Sequence, residues 1–133
     1  MSKTFMQMAK EAMAQVPGIK PEEAYKRMKS DTKTVVVDVR DAADTVQTGL
    51  VPGSVNISLG MLAVRADREL PETFRNPDLQ DRSRPVIAIC SLGPNSARGA
   101  CELKEMGFSN VSFVEGGMQA WIDAGLPTNK ERR

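Results

Sequence analysis

Two runs in this chain, Val35-Val36-Val37 and Val86-Ile87-Ala88-Ile89, are apolar at every position and mostly β-branched. A strand with one face in water alternates apolar and polar residues, so an unbroken apolar run belongs to a strand buried on both faces. Such strands sit in parallel sheets covered by helices on each side, and that excludes most other architectures at the outset. The intervening segments supply the helices. Residues 21–29 open with Pro21 and carry Glu22 and Glu23 in the first turn, where the helix dipole favours acids. Residues 59–66 predict a short helix, another follows Ser96, and residues 118–124 form a last one closed by Gly125-Leu126-Pro127. Residues 34–39, 86–89 and 108–114 are expected strands and residues 49–57 a turn leading into a short strand, with residues 41–48 as a short helix or loop and residues 67–84 as a polar connection. Before them, Phe5, Met8, Ala9, Ala12, Met13 and Val16 fall on one helical stripe, which Pro17-Gly18 ends. This stripe is expected to pack on the core or on the flank of the domain.

At 133 residues the chain is one domain, with no repeat, low-complexity tract or linker to divide it. A net charge of +1 gives no reason to expect nucleic acid or an anionic membrane as partner. No stretch is long and apolar enough to cross a bilayer, and the N-terminus lacks the apolar core of a signal peptide, so a cytoplasmic location is expected. Lys130-Glu131-Arg132-Arg133 reads as a solvated tail.

Chemistry is expected where the second apolar run ends. There Cys90-Ser91-Leu92-Gly93-Pro94-Asn95 forms a tight loop that leads into a helix, with Ser96 as its expected cap. A loop of small residues at a helix N-terminus turns backbone N–H groups inward as an anion-binding nest. A thiol held there ionises more readily and becomes a nucleophile. The chain has no histidine, which removes Ser-His-Asp and Cys-His catalysis and most transition-metal sites. Cys101, the other of the two cysteines, lies well along the helix axis from Cys90 at ~1.5 Å per residue, so a bridge between them is not expected and Cys101 reads as a filler. Asp38 and Arg40 stand at the C-terminal end of the first buried strand, the end at which open α/β sheets place their ligands.

Four segments, in order and spacing, resemble the rhodanese-like sulfurtransferase domain. They are Val37-Asp38-Val39-Arg40, residues 49–57 (Gly-Leu-Val-Pro-Gly-Ser-Val-Asn-Ile), the Cys90 loop, and Val114-Glu115-Gly116-Gly117-Met118-Gln119-Ala120-Trp121 with Gly125-Leu126-Pro127 behind it. The resemblance divides the chain into an added N-terminal helical extension (residues 1–20), the rhodanese-like domain (21–127) and a polar tail (128–133). It implies a five-stranded, mostly parallel sheet with helices on both faces. It also implies that Cys90 becomes a persulfide, held by backbone N–H groups of Ser91, Leu92, Gly93, Asn95 and Ser96 around Pro94. Sulfur then passes from a thiosulfate-like or persulfide donor to a thiol or cyanide, with no cofactor and no metal. Asp38 and Arg40 match family residues that brace the site, and Trp121 and the two glycines match packing and turn residues. The implied partners are a small sulfur donor and acceptor or a protein thiol. The N-terminal stripe permits a homodimer as well as a monomer.

Two departures from the family pattern bear on the substrate. Leu50 stands where many members have histidine, and Asn95 where arginine or threonine often closes the loop. Without a cation at position 95 the loop suits doubly charged thiosulfate less well, and Arg65, Arg68 and Arg98 are the candidates to supply charge. Leu50 points to an apolar rim that favours a protein or organic persulfide. A cysteine phosphatase is the rival enzyme, but its Cys-x5-Arg spacing needs arginine where Ser96 stands. A non-catalytic binding module and a redox sensor, in which peroxide oxidises the cysteine, are the other classes.

Overall fold

The computed structural model describes residues 1–130; the end of the expected tail, residues 131–133, lies outside the described residues. In chain order the elements are α1 (Phe5–Met13), β1 (Gly18–Ile19), α2 (Pro21–Ser30), β2 (Val35–Asp38), β3 (Val55–Asn56), α3 (Leu59–Ala66), β4 (Val86–Ile89), α4 (Pro94–Glu105), β5 (Val111–Val114) and α5 (Gly117–Asp123). The strands form one five-stranded sheet in the order β1-β5-β4-β2-β3, and every pairing is parallel. The two all-apolar runs, β4 and β2, are adjacent near its centre, and each residue of both is buried.

Side-chain alternation sorts the core into two layers. Val35, Val37, Val86, Ala88 and Cys90 face a layer that takes in Ala12 and Val16 around α1, Leu62 and Ala66 of α3, and Ala97, Ala100 and Leu103 of α4. Val36, Ile87 and Ile89 face the other, with Ala24 of α2 and Met118 and Trp121 of α5. Cys90 therefore projects to the α1, α3 and α4 side. Trp121 holds the second layer through an edge-on contact with Tyr25, ring centroids 5.9 Å apart, and an indole N–H donated to the Pro127 carbonyl at 2.8 Å.

Three features depart from expectation. Gly18 and Ile19 pair with Phe113 and Val114 as β1, an edge strand too short to show a period. The extension at residues 1–20 is thus joined to the sheet, and through Ala9, Ala12 and Val16 to the core. The stripe on α1 is split, because Ala9 and Ala12 are buried while Phe5 and Met8 are exposed. In the polar connection, two 3-10 turns carry Leu79 fully into the core.

Candidate functional site

The site lies at the C-terminal ends of β2 and β4, where Asp38 and Ile89 are register partners. Helix α4 begins at Pro94, three residues earlier than the sequence predicts, and Gly93 occupies its N-cap position. Gly93 has φ 120°, a conformation closed to residues with a side chain. Ser96 is not the cap. It is fully buried in the first turn, where its hydroxyl donates to the Gly93 carbonyl at 2.8 Å. The Cys90 thiol donates to Ser96 Oγ at 3.4 Å, and the Gly93 N–H donates to Cys90 Sγ at 3.1 Å. Of the expected N–H cradle, only Gly93 reaches the sulfur. The N–H groups of Ser91, Leu92, Asn95 and Ser96 make no hydrogen bond among the described residues.

Helix α5 grips the loop from its other side. The Met118 and Gln119 N–H groups donate to the Cys90 and Ser91 carbonyls at 2.7 and 3.2 Å. Gly117, at φ 61°, makes this approach possible, because a Cβ there would overlap the Cys90 carbonyl oxygen. Those carbonyls are thus tied to α5, while the N–H groups of Ser91, Leu92, Asn95 and Ser96 stay unpaired among the described residues.

Cys90 is 4% exposed and lies in the wall of a cavity of about 310 Å³. Val39 and Leu59 stand beside it, and Ser91, Leu92, Pro94 and Asn95 continue the wall along the loop. Phe5 of α1 supplies another part, so the N-terminal helix reaches the site. Asp41 and Asp44 complete the rim together with Arg40 and Gly60.

Arg40 and Asp38 are buried and paired at 2.6 Å. The Arg40 Nε–H is shared between both Asp38 carboxylate oxygens, at 3.0 and 3.1 Å. Its Nη1 donates to the Asp44 carbonyl and Thr48 Oγ1, and its Nη2 to Asp38 and the Gly49 carbonyl. All five guanidinium donors are thus used to hold residues 44–49, and none is left for a ligand. Asn56 adds to the brace by donating to the Asp38 and Arg40 carbonyls at 3.0 and 2.9 Å.

The three arginines proposed as anion contacts do not line the cavity. Arg65 donates to the Phe74 carbonyl, and Arg68 is exposed beyond α3. Arg98 lies over the Phe5 ring, 5.8 Å from its centroid, and donates to Asn95 Oδ1 at 3.3 Å. Leu50 is also absent from the wall; the apolar part of the rim comes from Phe5, Leu59 and Leu92. Asp41 and Asp44 had one signal in the sequence, since they lie within four residues after Arg40 at the ligand end of a strand. Phe5 had none, because 85 residues of chain separate it from Cys90 and only the packing of α1 on α4 brings them together. Cys101 sits at the α1–α4 contact with its sulfur 3.4 Å from Gln15 Oε1, and both cysteines are free. Burial and the nearby Glu105 push its thiol pKa up from the usual 9.0.

Residues 20–124 match the family model of the rhodanese-like domain, and the chain belongs to that family. It is 30% identical over 109 residues to the thiosulfate sulfurtransferase GlpE of Pseudomonas savastanoi pv. phaseolicola, a match that covers 82% of this chain and 90% of that protein. A solved structure from Rhodopseudomonas palustris, described as a protein of unknown function with tyrosine phosphatase as a suggested activity, superposes with a TM-score of 0.88 at 30% identity, over 97% of this chain and 96% of that one. The polysulfide-sulfur transferase of Wolinella succinogenes shares the fold, with a TM-score of 0.73 at 24% identity over 97% of this chain and 89% of that one.

Proposed function

We propose that this chain is a sulfurtransferase that carries a sulfane sulfur on Cys90. The observation that carries the reading is the placement of the Cys90 sulfur: in a cavity wall, 3.1 Å from the Gly93 N–H, at the head of α4 and beside unpaired loop N–H groups. Backbone donors and a helix N-terminus favour negative charge on that sulfur. The Cys90 thiolate attacks the outer sulfur of the donor. A new S–S bond forms, the donor's own S–S bond breaks, and the electron pair leaves with the donor remnant, a thiolate or sulfite. In this reading the unpaired N–H groups of the loop are the donors assigned to the outer sulfur of the resulting persulfide. In the second half an acceptor thiolate or cyanide takes that sulfur, and the bonding pair returns to Cys90 Sγ. Neither half needs an imidazole, in keeping with a chain that has no histidine. The identity to a thiosulfate sulfurtransferase supports the same chemistry.

The site is poorly suited to phosphatase chemistry. The residue six positions after Cys90 is Ser96, fully buried, with its hydroxyl 3.4 Å from the sulfur, so no guanidinium fork closes over the loop. The test is intact-protein mass spectrometry after incubation with thiosulfate and, separately, with a mercaptopyruvate-type donor, in which a C–S bond breaks instead and the electron pair leaves as the pyruvate enolate. A gain of one sulfur atom is expected on the wild type and not on Cys90→Ser, with its loss on adding cyanide or a thiol. No gain from thiosulfate, the mercaptopyruvate-type donor or an alkyl persulfide would overturn the reading.

A further inference from the structure

We propose that the cavity over Cys90 is selective for charge, and that Asp41 and Asp44 favour an amine-bearing alkyl thiol or persulfide over an anionic sulfur compound. This rests on the sulfur-carrier reading above and names the substrate class of the same site.

Backbone N–H groups at the head of α4 favour an anion at the sulfur itself, but few side chains set the charge of the cavity mouth. Arg40 is the one cation in its wall among the described residues, and its charge is met by Asp38 while all its N–H groups are donated within the protein. Asp41 and Asp44 are exposed on the rim, and neither has a salt bridge among the described residues. Asn95 brings no charge, and its side-chain oxygen is turned to Arg98, whose guanidinium rests on Phe5 outside the wall. Among the side chains of the wall itself, two carboxylate charges are therefore left without a cationic partner, the nearby Arg98 being held by Asn95 and Phe5. A thiosulfate dianion enters against them, whereas an ammonium group is drawn in. Phe5, Leu59 and Leu92 offer apolar surface for a short alkyl chain between ammonium and sulfur. At about 310 Å³ the space is at the small end of ligand cavities, which limits the occupant to a compact molecule. In the transfer itself the ammonium takes no part. The acceptor thiolate forms the new S–S bond, the bond between Cys90 Sγ and the outer sulfur breaks, and Cys90 leaves as thiolate.

The test uses the full chain with Cys101→Ser, so that Cys90 is the only thiol. Its rate of modification is measured with two methanethiosulfonates of similar size, one ending in a trimethylammonium group and one in a sulfonate. Each forms a mixed disulfide as the thiolate displaces methanesulfinate, a reaction that requires no sulfurtransferase activity. Relative to a free small thiol, the cationic reagent is expected to react faster by on the order of tenfold. That ratio should fall towards one in the Asp41→Asn/Asp44→Asn variant and with added salt. A wild-type ratio near one, or a ratio that the double variant leaves unchanged, would overturn the proposal. Discharge of persulfidated protein by cysteamine and by 3-mercaptopropionate, compared per thiolate, extends the test to the reaction. The amine is expected to lead, and the double variant to lose that lead. Failure of Cys90 to take up sulfur would defeat the sulfur-carrier reading, while the reagent ratio would still decide the charge selectivity.

Discussion

Arg40 is a long cationic side chain at the edge of the cavity beside Cys90, yet it has no N–H group to offer a ligand. Its Nη1 and Nη2 atoms hold the backbone at Asp44 and Gly49 and the hydroxyl of Thr48, and its charge answers Asp38 in a setting where neither can reach water. Removing one member of such a pair leaves the other charged and dry, at a cost of about 3–5 kcal/mol. Arg40→Met is therefore expected to lower stability by that amount in urea denaturation. Arg40→Lys should recover little, since an ammonium cannot reproduce five N–H bonds in a planar fork. A loss below about 1 kcal/mol for Arg40→Met, the size of an exposed ion pair, would show that the brace is not structural. The shared location of Cys90, Asp38 and Arg40 is legible in the sequence because each sits within three residues of the end of an apolar run, and strand ends are where α/β sheets hold their sites. That Arg65, Arg68 and Arg98 stand outside the cavity wall was not legible, for the opposite reason. Arg65 and Arg98 lie on helices, where a rotation of ~100° per residue decides the face, and the sequence does not say which face a ligand occupies.

At the scale of elements, the site depends on two helix starts that meet across one loop. Helix α4 directs its first turn at the Cys90 sulfur, while α5 ties back the Cys90 and Ser91 carbonyls. Gly117 makes that contact, and its replacement separates two effects. Gly53→Ala, at φ 83° with nothing near the added Cβ, is expected to cost only the left-handed backbone, ~1–2 kcal/mol. Gly117→Ala carries the same backbone cost and also drives a Cβ into the Cys90 carbonyl. It should therefore lower the thermal midpoint further than Gly53→Ala and slow sulfur loading at Cys90, which Gly53→Ala should leave alone. Equal thermal shifts with unchanged loading in both would mean that α5 does not shape the loop. The longer elements were read to within a few residues because burial on both faces leaves an unbroken apolar run, and helices with one exposed face show a stripe. Strand β1 could not be read in this way. Two residues hold no period, and Gly18 belongs to the sheet only because Phe113 is opposite it. Helix α4 starts early for a local reason: Pro94 suits a first helical turn, where its missing N–H has no partner to lose, so Gly93 rather than Ser96 takes the cap.

Across the whole molecule, α4 is the helix through which the outer parts communicate, with its N-terminus at the sulfur, α1 packed along one side and α3 along another. This crowding reaches its acidic half. Glu102 has its pKa raised above the usual 4.5, chiefly by burial, which outweighs the lowering by the Ala63 backbone hydrogen bond; Glu105 adds a smaller rise and Arg98 a smaller fall. A raised pKa means that the folded protein binds the proton more tightly than the unfolded chain. Its contribution to stability is thus fully present below about pH 4.5 and lost as pH rises through the folded value. The hydrogen-bonded turn carboxylates act the other way. Asp67 and Asp81 have lowered values, set chiefly by donors from Glu69 and Leu70 and from Ser83, so their contribution is present above 3.8 and lost in acid. At neutral pH the ionised Glu102 is therefore a strained charge on a helix also loaded with Glu105 near its C-terminus, where the dipole disfavours acids. Glu102→Gln is expected to raise the urea midpoint at pH 7, by less than about 1 kcal/mol given its partial contact with water. The advantage should vanish below pH 4, where the wild-type carboxyl is protonated and matches the amide in charge. An advantage of the same size at both pH values would trace the gain to packing rather than to the charge. A loss at pH 7 would show that the Ala63 and Arg98 contacts outweigh burial, and that α3 and α4 are joined through this carboxylate.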